Sequence, residues 1–143
     1  MKNQMIFQRY EFKYVMTFPQ YHAVLDAMAP HMVPDEYSHS SIRNLYLDTP
    51  EFRLIRRSLE RPIYNEKIRV RSYGPAGDRY PVFVELKKKY ASVVYKRRIA
   101  IPQEQARACL DGRQPWPDSQ IGAELSYTME FYQTLRPTVF LSY

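Results

Sequence analysis

Cations two residues apart recur along this sequence, and that spacing is where its chemistry has to be sought. Arg69 and Arg71 flank Val70, Glu85 and Lys87 flank Leu86, and Lys96 and Arg98 flank Arg97. Earlier in the chain, Arg9, Glu11 and Lys13 repeat the pattern. In an extended chain, residues two apart project from one face, about 6.7 Å from each other. Neighbouring strands would then share a face of Lys and Arg with Glu set among them. The opposite face would be apolar, from residues such as Ile68, Val70, Val84 and Leu86. Like charges about 7 Å apart repel by roughly 2 kcal/mol at an effective dielectric near 20, and by about 0.6 in open water. A half-enclosed face of this kind is costly when empty, and a bound polyanion relieves the cost. The competing reading is the solvated outer face of a sheet sandwich, where salt screens the charges. Basic residues recurring on three successive runs, rather than alternating in sign, favour the polyanion.

The composition agrees on the sign of the partner. The chain has 143 residues, the length of one domain, and carries a net charge of +6. That balance suits nucleic acid, anionic lipid or phosphorylated small molecules, and does not choose among them. At 45% hydrophobic and 25% charged the composition is that of a globular protein. No long apolar run suggests a transmembrane helix, and Met1–Phe7 lacks the apolar core of a signal peptide. One cysteine, Cys109, leaves no internal disulfide and fits a reducing, cytoplasmic compartment.

The elements that must position these residues follow from the pattern. Strands are predicted over Phe7–Met16, Ser41–Asp48, Tyr64–Tyr73, Pro81–Tyr90, Ser92–Ile101 and from Thr138 to Tyr143. Thr17 is an N-cap with Pro19 in the first turn of a helix to about Ala29, on which Val24, Leu25 and Met28 form an apolar stripe. Thr49 can cap a second helix that starts at Pro50 and runs to about Leu59, its Arg53, Arg56 and Arg57 making a solvated face. A short helix over Pro102–Leu110 stops at Asp111-Gly112, and Ser119 or Asp118 caps a longer one to about Leu135. Hairpin turns are expected at Gly74–Asp78 and at Tyr90–Ser92. Charged residues on one side of many antiparallel strands imply an α+β fold: a closed or nearly closed antiparallel β-barrel or tunnel with a polar bore, its outer face covered by helices. The last strand runs out with the sequence, which suggests a single tunnel domain over 1–143 that lacks its C-terminal strands.

Other chemistries find little support. The four glycines do not form a phosphate loop, and His22, His31 and His39 have no metal-ligand spacing. A single-strand nucleic-acid sheet should interleave aromatics with its bases on one face. Here Tyr10, Phe12, Tyr14 and Tyr95 have the opposite parity, which argues against nucleic acid.

The segments Arg9–Tyr14 (RYEFKY), Tyr46–Pro50 (YLDTP), Lys67–Arg71 (KIRVR), Glu85–Lys87 (ELK) and Val94–Arg98 (VYKRR) together resemble, in order, the vacuolar transporter chaperone (VTC) domain. That family is the polyphosphate polymerase branch of the triphosphate tunnel metalloenzymes, the CYTH-like superfamily. The resemblance covers nearly the whole chain. It implies a tunnel that binds a triphosphate or polyphosphate along its axis. It further implies metal-dependent phosphoryl transfer from a nucleoside triphosphate to polyphosphate. By position it assigns Lys13 to the first-strand lysine, Arg69 and Arg71 to the paired arginines, Lys87 to the lysine after the tunnel glutamate, and Lys96 and Arg98 to the next basic pair. Arg69, Arg71 and Lys87 would be the catalytic cations. Arg9 stands where the thiamine-triphosphatase and cyclase branch carries a glutamate, which favours the polyphosphate branch. Glu85 and Glu11 could hold Mn²⁺ or Mg²⁺, or could instead order neighbouring cations as salt bridges. The family domain is longer, continuing beyond Phe140–Tyr143 into strands with a further arginine, a lysine and a metal-binding glutamate. The resemblance therefore implies a partly open tunnel here, and makes turnover by this chain alone doubtful. The alternative is a module that binds polyphosphate or inositol phosphates without turnover, and an exposed sheet edge could support an oligomer.

Overall fold

The computed structural model describes residues 6–9, 12, 14–34, 40–74 and 81–143. The chain divides into two compact units, Tyr10–Ser40 and the remainder, Met1–Arg9 with Ser41–Tyr143. The smaller unit contains α1, Phe18–Met28, with Pro19 in its first turn. At its start the Gln20 side chain accepts a hydrogen bond from the backbone N–H of Thr17 at 2.9 Å, tying down one of the donors that a helix start leaves unpaired.

The larger unit is built on one six-stranded antiparallel sheet in the order β1-β5-β4-β3-β2-β6. The strands are β1 Ile6–Arg9, β2 Ile42–Asp48, β3 Tyr64–Tyr73, β4 Pro81–Tyr90, β5 Val93–Pro102 and β6 Arg136–Ser142. The first strand is shorter than the sequence predicts: Phe12 and Tyr14–Met16 are not in strand, and Tyr10, Glu11 and Lys13 lie outside the described residues. Residues 75–78 of the expected first hairpin turn lie outside them as well, as does His39. The expected tunnel is corrected in one respect. Among the described residues β1 and β6 stand at opposite edges of the sheet, which is therefore open and does not close into a barrel. An edge strand has no hydrogen-bonding neighbour on its outer side.

One face of this sheet is the core. Ile68, Val84, Leu86, Ile99 and Ile101 pack with Ala106 of α3 (Gln103–Leu110) and with Ile121 and Leu125 of α4 (Gln120–Tyr132). Ser119 caps α4, its Oγ accepting from Gly122 N–H at 3.0 Å. Gly122 is required there because a Cβ would collide with the Pro117 carbonyl. The β4–β5 hairpin turns on two residues, Ala91 and Ser92, at φ 46° and 69°. Two consecutive left-handed residues give a type I′ turn, which suits strand twist but favours Asn-Gly over the residues present.

The start of the second helix differs from the sequence reading. Helix α2 spans Arg53–Leu59, later than the predicted start at Pro50, and its N-cap Phe52 is left-handed. Thr49 Oγ1 still accepts from Arg53 N–H at 3.1 Å. Most of the capping falls to Asp48, at the end of β2. Its Oδ1 accepts from Thr49 N–H at 2.8 Å and Leu54 N–H at 2.9 Å, and its Oδ2 from Ile55 N–H at 3.0 Å. A carboxylate at a helix N-terminus satisfies orphan donors and complements the helix dipole.

Candidate phosphate-binding site

The sheet register fixes which cations share a face. Arg69 of β3 lies opposite Glu85 of β4, which lies opposite Arg98 of β5. One row along, Lys67, Lys87 and Lys96 lie directly across the three strands from one another. In the next row in the other direction, Arg71 lies opposite Phe83. Strands are about 4.8 Å apart, so the lysine row places three like charges on adjacent strands, an arrangement that a bound anion stabilises. On the far side of β3, Tyr46 of β2 pairs with Arg69, and Asn44 with Arg71.

Glu85 organises the middle of this face. It is 1% exposed, buried beneath the cations around it. Its Oε2 accepts from Arg69 Nε at 2.6 Å, and its Oε1 forms an ion pair with Lys96 Nζ at 2.6 Å. Burial alone would raise the pKa of this carboxyl, but the contacts with Lys96 and Arg69 outweigh it and hold the group below the ordinary carboxylate value. For Arg69 the balance is similar: burial opposes its charge, and Glu85 holds its pKa above the usual arginine value. The Lys96 ammonium is pulled the other way. Burial, with the charges of Arg98 and Arg69 beside it, lowers its pKa despite Glu85. An ammonium whose charge is opposed by burial and by neighbouring cations is one that an added anion would stabilise.

The arginines are further aimed by neutral groups. Arg69 donates an Nη1 hydrogen bond to the Tyr46 hydroxyl at 3.0 Å, and Arg71 donates from Nε to Asn44 Oδ1 at 2.8 Å. Asn44 is itself 1% exposed. Arg98 stacks over the Phe83 ring at 4.8 Å. These contacts hold planar guanidiniums in fixed orientations, the arrangement that suits two-pronged recognition of phosphate oxygens.

Thus Arg69, Arg71, Lys87, Lys96 and Arg98 share one sheet face with Glu85, as the spacing predicts. Arg9 pairs with Val94 in the backbone ladder of β1 and β5. Lys13 and Glu11 lie outside the described residues. Sequence reasoning missed Lys67, although it shares the parity of Arg69, and missed Tyr46, Asn44 and Phe83. The parity of Asn44 and Tyr46 is legible, but the pairing of β2 with β3 is not. Phe83 and Tyr46 also qualify the aromatic argument, because these two rings do stand on the basic face.

Among the described residues no group of three or more His, Cys, Asp or Glu could hold an ion. Each Glu85 oxygen is already engaged by a cation. A hollow of about 390 Å³ lies on the other face of the sheet, its walls largely apolar (Leu45, Leu47, Val70, Ala106, Leu135) with Arg43, Arg107, Arg136 and Asp111 also in the lining.

A six-stranded antiparallel sheet with a cationic face and helices on its reverse is the class of site defined here. The sequence matches the VTC domain over residues 8–143, and the chain belongs to that family. No curated protein matches it. Among solved structures it is similar to a Bacillus halodurans protein described as a "putative adenylate cyclase", with a TM-score of 0.58 at 13% identity. That likeness is one of fold, and it covers 96% of this chain and 62% of the other. This chain therefore spans less than two thirds of that structure. Among the described residues no helix is long and apolar enough to cross a membrane.

Proposed function

We propose that the β3–β4–β5 face binds the phosphates of a triphosphate or polyphosphate, and that the domain is a polyphosphate polymerase-like phosphotransferase using a nucleoside triphosphate. The observation that carries this reading is the set of rows across the sheet, Lys67–Lys87–Lys96 and Arg69–Glu85–Arg98. A repeating anion is the ligand whose charge spacing matches cations repeated along and across strands. Phosphoryl transfer spreads charge over equatorial oxygens, so fixed donors aimed at those oxygens supply most of the catalysis a protein can offer. In this reading Arg69 and Arg71 grip oxygens in pairs, and Lys87, Lys96 and Arg98 act as further charges along the phosphate chain. Glu85 is a positioning residue that fixes Arg69 and Lys96, one on each of its oxygens.

The donor set at Glu85 does not fit the Mn²⁺ or Mg²⁺ implied by the family resemblance, because both of its oxygens are engaged by cations. That same engagement favours the second reading, a module that holds polyphosphate or inositol phosphates without turnover. The single, buried Cys109 is consistent with a cytoplasmic setting.

The test is to incubate the chain, and a longer form continuing beyond Tyr143, with ATP and Mn²⁺ and to look for long-chain polyphosphate. Product from either supports the enzyme. Product from neither, with tripolyphosphate still bound, leaves the module. Arg69→Ala with Arg71→Ala should abolish tripolyphosphate binding while the far-ultraviolet circular dichroism is retained. Undiminished affinity in that variant would show that the anion binds elsewhere.

A further inference from the structure

A second cationic site lies on the helix-bearing side of the sheet, away from the ladder. Helices α2 and α4 each present a pair of residues four apart across a cavity of about 290 Å³. From α2 come Arg53 and Arg57, and from α4 come Tyr127 and Phe131. Residues four apart share one side of a helix, so each pair acts as a unit. The Tyr127 and Phe131 rings stack at 6.1 Å with an interplanar angle of 24°, and they are 65% and 51% exposed. That is a large aromatic surface left to solvent beside two arginines. Arg53 stands over the Phe131 ring at 5.5 Å and the Tyr132 ring at 5.3 Å, which fixes a guanidinium at the rim. Arg57 donates from Nε to the Tyr64 carbonyl at 3.3 Å.

The floor is polar and satisfied. Glu66 accepts from the Tyr132 hydroxyl at 2.6 Å and from the Tyr64 hydroxyl at 2.8 Å. Burial and the neighbouring Glu66 raise both phenol pKa values, so the hydroxyls stay protonated and keep the carboxylate occupied. Lys88, also in the lining, is paired with Glu124 at 3.3 Å. The free electrostatic character of the rim is therefore set by Arg53 and Arg57.

We propose that this cavity binds an aromatic monophosphate of nucleotide size, its ring against Tyr127 and Phe131 and its phosphate at Arg53 and Arg57. The volume lies just under the roughly 300–1,000 Å³ typical of small-molecule clefts. Aromatic side chains stack on any base, and arginine forks match phosphate, so the two halves of the site recognise the two halves of one molecule. An inorganic anion would use only the arginines, and a nucleoside only the rings.

The test is titration of the full chain with AMP, adenosine and inorganic phosphate, followed by NMR of the arginine Nε–H and aromatic signals. AMP should shift Arg53, Arg57, Tyr127 and Phe131, and should bind more tightly than adenosine or phosphate. Tyr127→Ala and Arg53→Gln alter exposed side chains and should each weaken AMP about tenfold. The proposal is overturned by phosphate binding as well as AMP, by no AMP binding at millimolar concentration, by equal AMP affinity in both variants, or by shifts confined to Arg69, Arg71 and Arg98. None of these readings depends on whether the ladder face binds tripolyphosphate.

Discussion

Replacing Glu85 by Gln separates the two things this residue does. The carboxylate is 1% exposed and lies 2.6 Å from both Arg69 Nε and Lys96 Nζ, so the substitution removes the charge that both cations share. Removing one partner of a buried ion pair costs about 3–5 kcal/mol. The side chains of Arg69 and Lys96 retain 16% and 13% exposure, and the Gln amide oxygen can still accept from Arg69, so the lower end applies, about 3 kcal/mol. For a domain of this size that is a fall in Tm of roughly 10 °C. The pH dependence has a definite sign. The folded carboxyl has its pKa held below the ordinary 4.5, so its contribution is fully present above that value and is lost as pH falls through the folded pKa. The gap between wild type and Glu85→Gln in urea unfolding should therefore be widest near neutrality and close in acid. Affinity should move in the opposite direction to stability. With the Glu85 charge gone, Arg69 and Lys96 lose the carboxylate they share, and tripolyphosphate should raise the Tm of the variant more than that of the wild type. A neutral-pH difference within about 0.5 kcal/mol, the usual range for inconsequential surface changes, would refute the role given to Glu85. A gap that persists unchanged through acid would do the same.

Other expectations rest on single features. Asp48→Ala should destabilise the protein by about 2 kcal/mol, at the upper end for an N-cap because three N–H groups lose their acceptor, measured by denaturant titration. Ala91→Asn with Ser92→Gly should raise stability by about 1 kcal/mol by relieving two left-handed residues, read as an increase in urea midpoint with unchanged m-value. Lys96 has its pKa lowered by burial and by Arg98 and Arg69, so tripolyphosphate binding in alkaline buffer below 10.5 should take up protons. Calorimetry in buffers of differing ionisation enthalpy measures that uptake, and a buffer-independent heat would contradict it. Tyr132→Phe should cost about 1.5 kcal/mol through loss of its bond to the Glu66 carboxylate, checked by thermal unfolding.

Much of the larger unit is legible in its residues because strand parity is a local property. Strands β3 and β4 fall at the predicted bounds, since alternation over ten residues leaves little freedom of register. The cations at 69, 71, 87, 96 and 98 share a face for the same reason. What parity cannot give is which strands become neighbours. The Arg69–Tyr46 and Arg71–Asn44 contacts depend on β2 pairing with β3 across a helix, a long-range event with no local signature. Helix α2 starts later than its residues suggest because Thr49-Pro50 has the composition of a helix opening. The chain instead makes a turn there, with Phe52 N–H bonded to the Thr49 carbonyl at 2.9 Å, and Asp48 reaches past it to cap. The same parity does not determine closure of the sheet. A charged face is compatible with a barrel, but alternation fixes only the faces of strands and not whether the two edges meet. The α2–α4 cavity is not legible in the sequence, because Arg53 and Arg57 alone resemble a solvated helix face. Only the packing of α4 brings Tyr127 and Phe131 to them.

The most direct measurement is the arginine Nε–H spectrum of the full chain as tripolyphosphate is added. Arg69, Arg71 and Arg98 stand on the ladder face, whereas Arg97 on the same strand as Arg98 points to the other side and pairs with Glu124. Shifts at Arg69, Arg71 and Arg98, with Arg97 and Arg107 unmoved and an affinity that falls steeply with salt, are the expected result. Shifts at Arg97 or Arg107 with the ladder arginines silent, or no shifts at any concentration, would contradict a phosphate site on this sheet face.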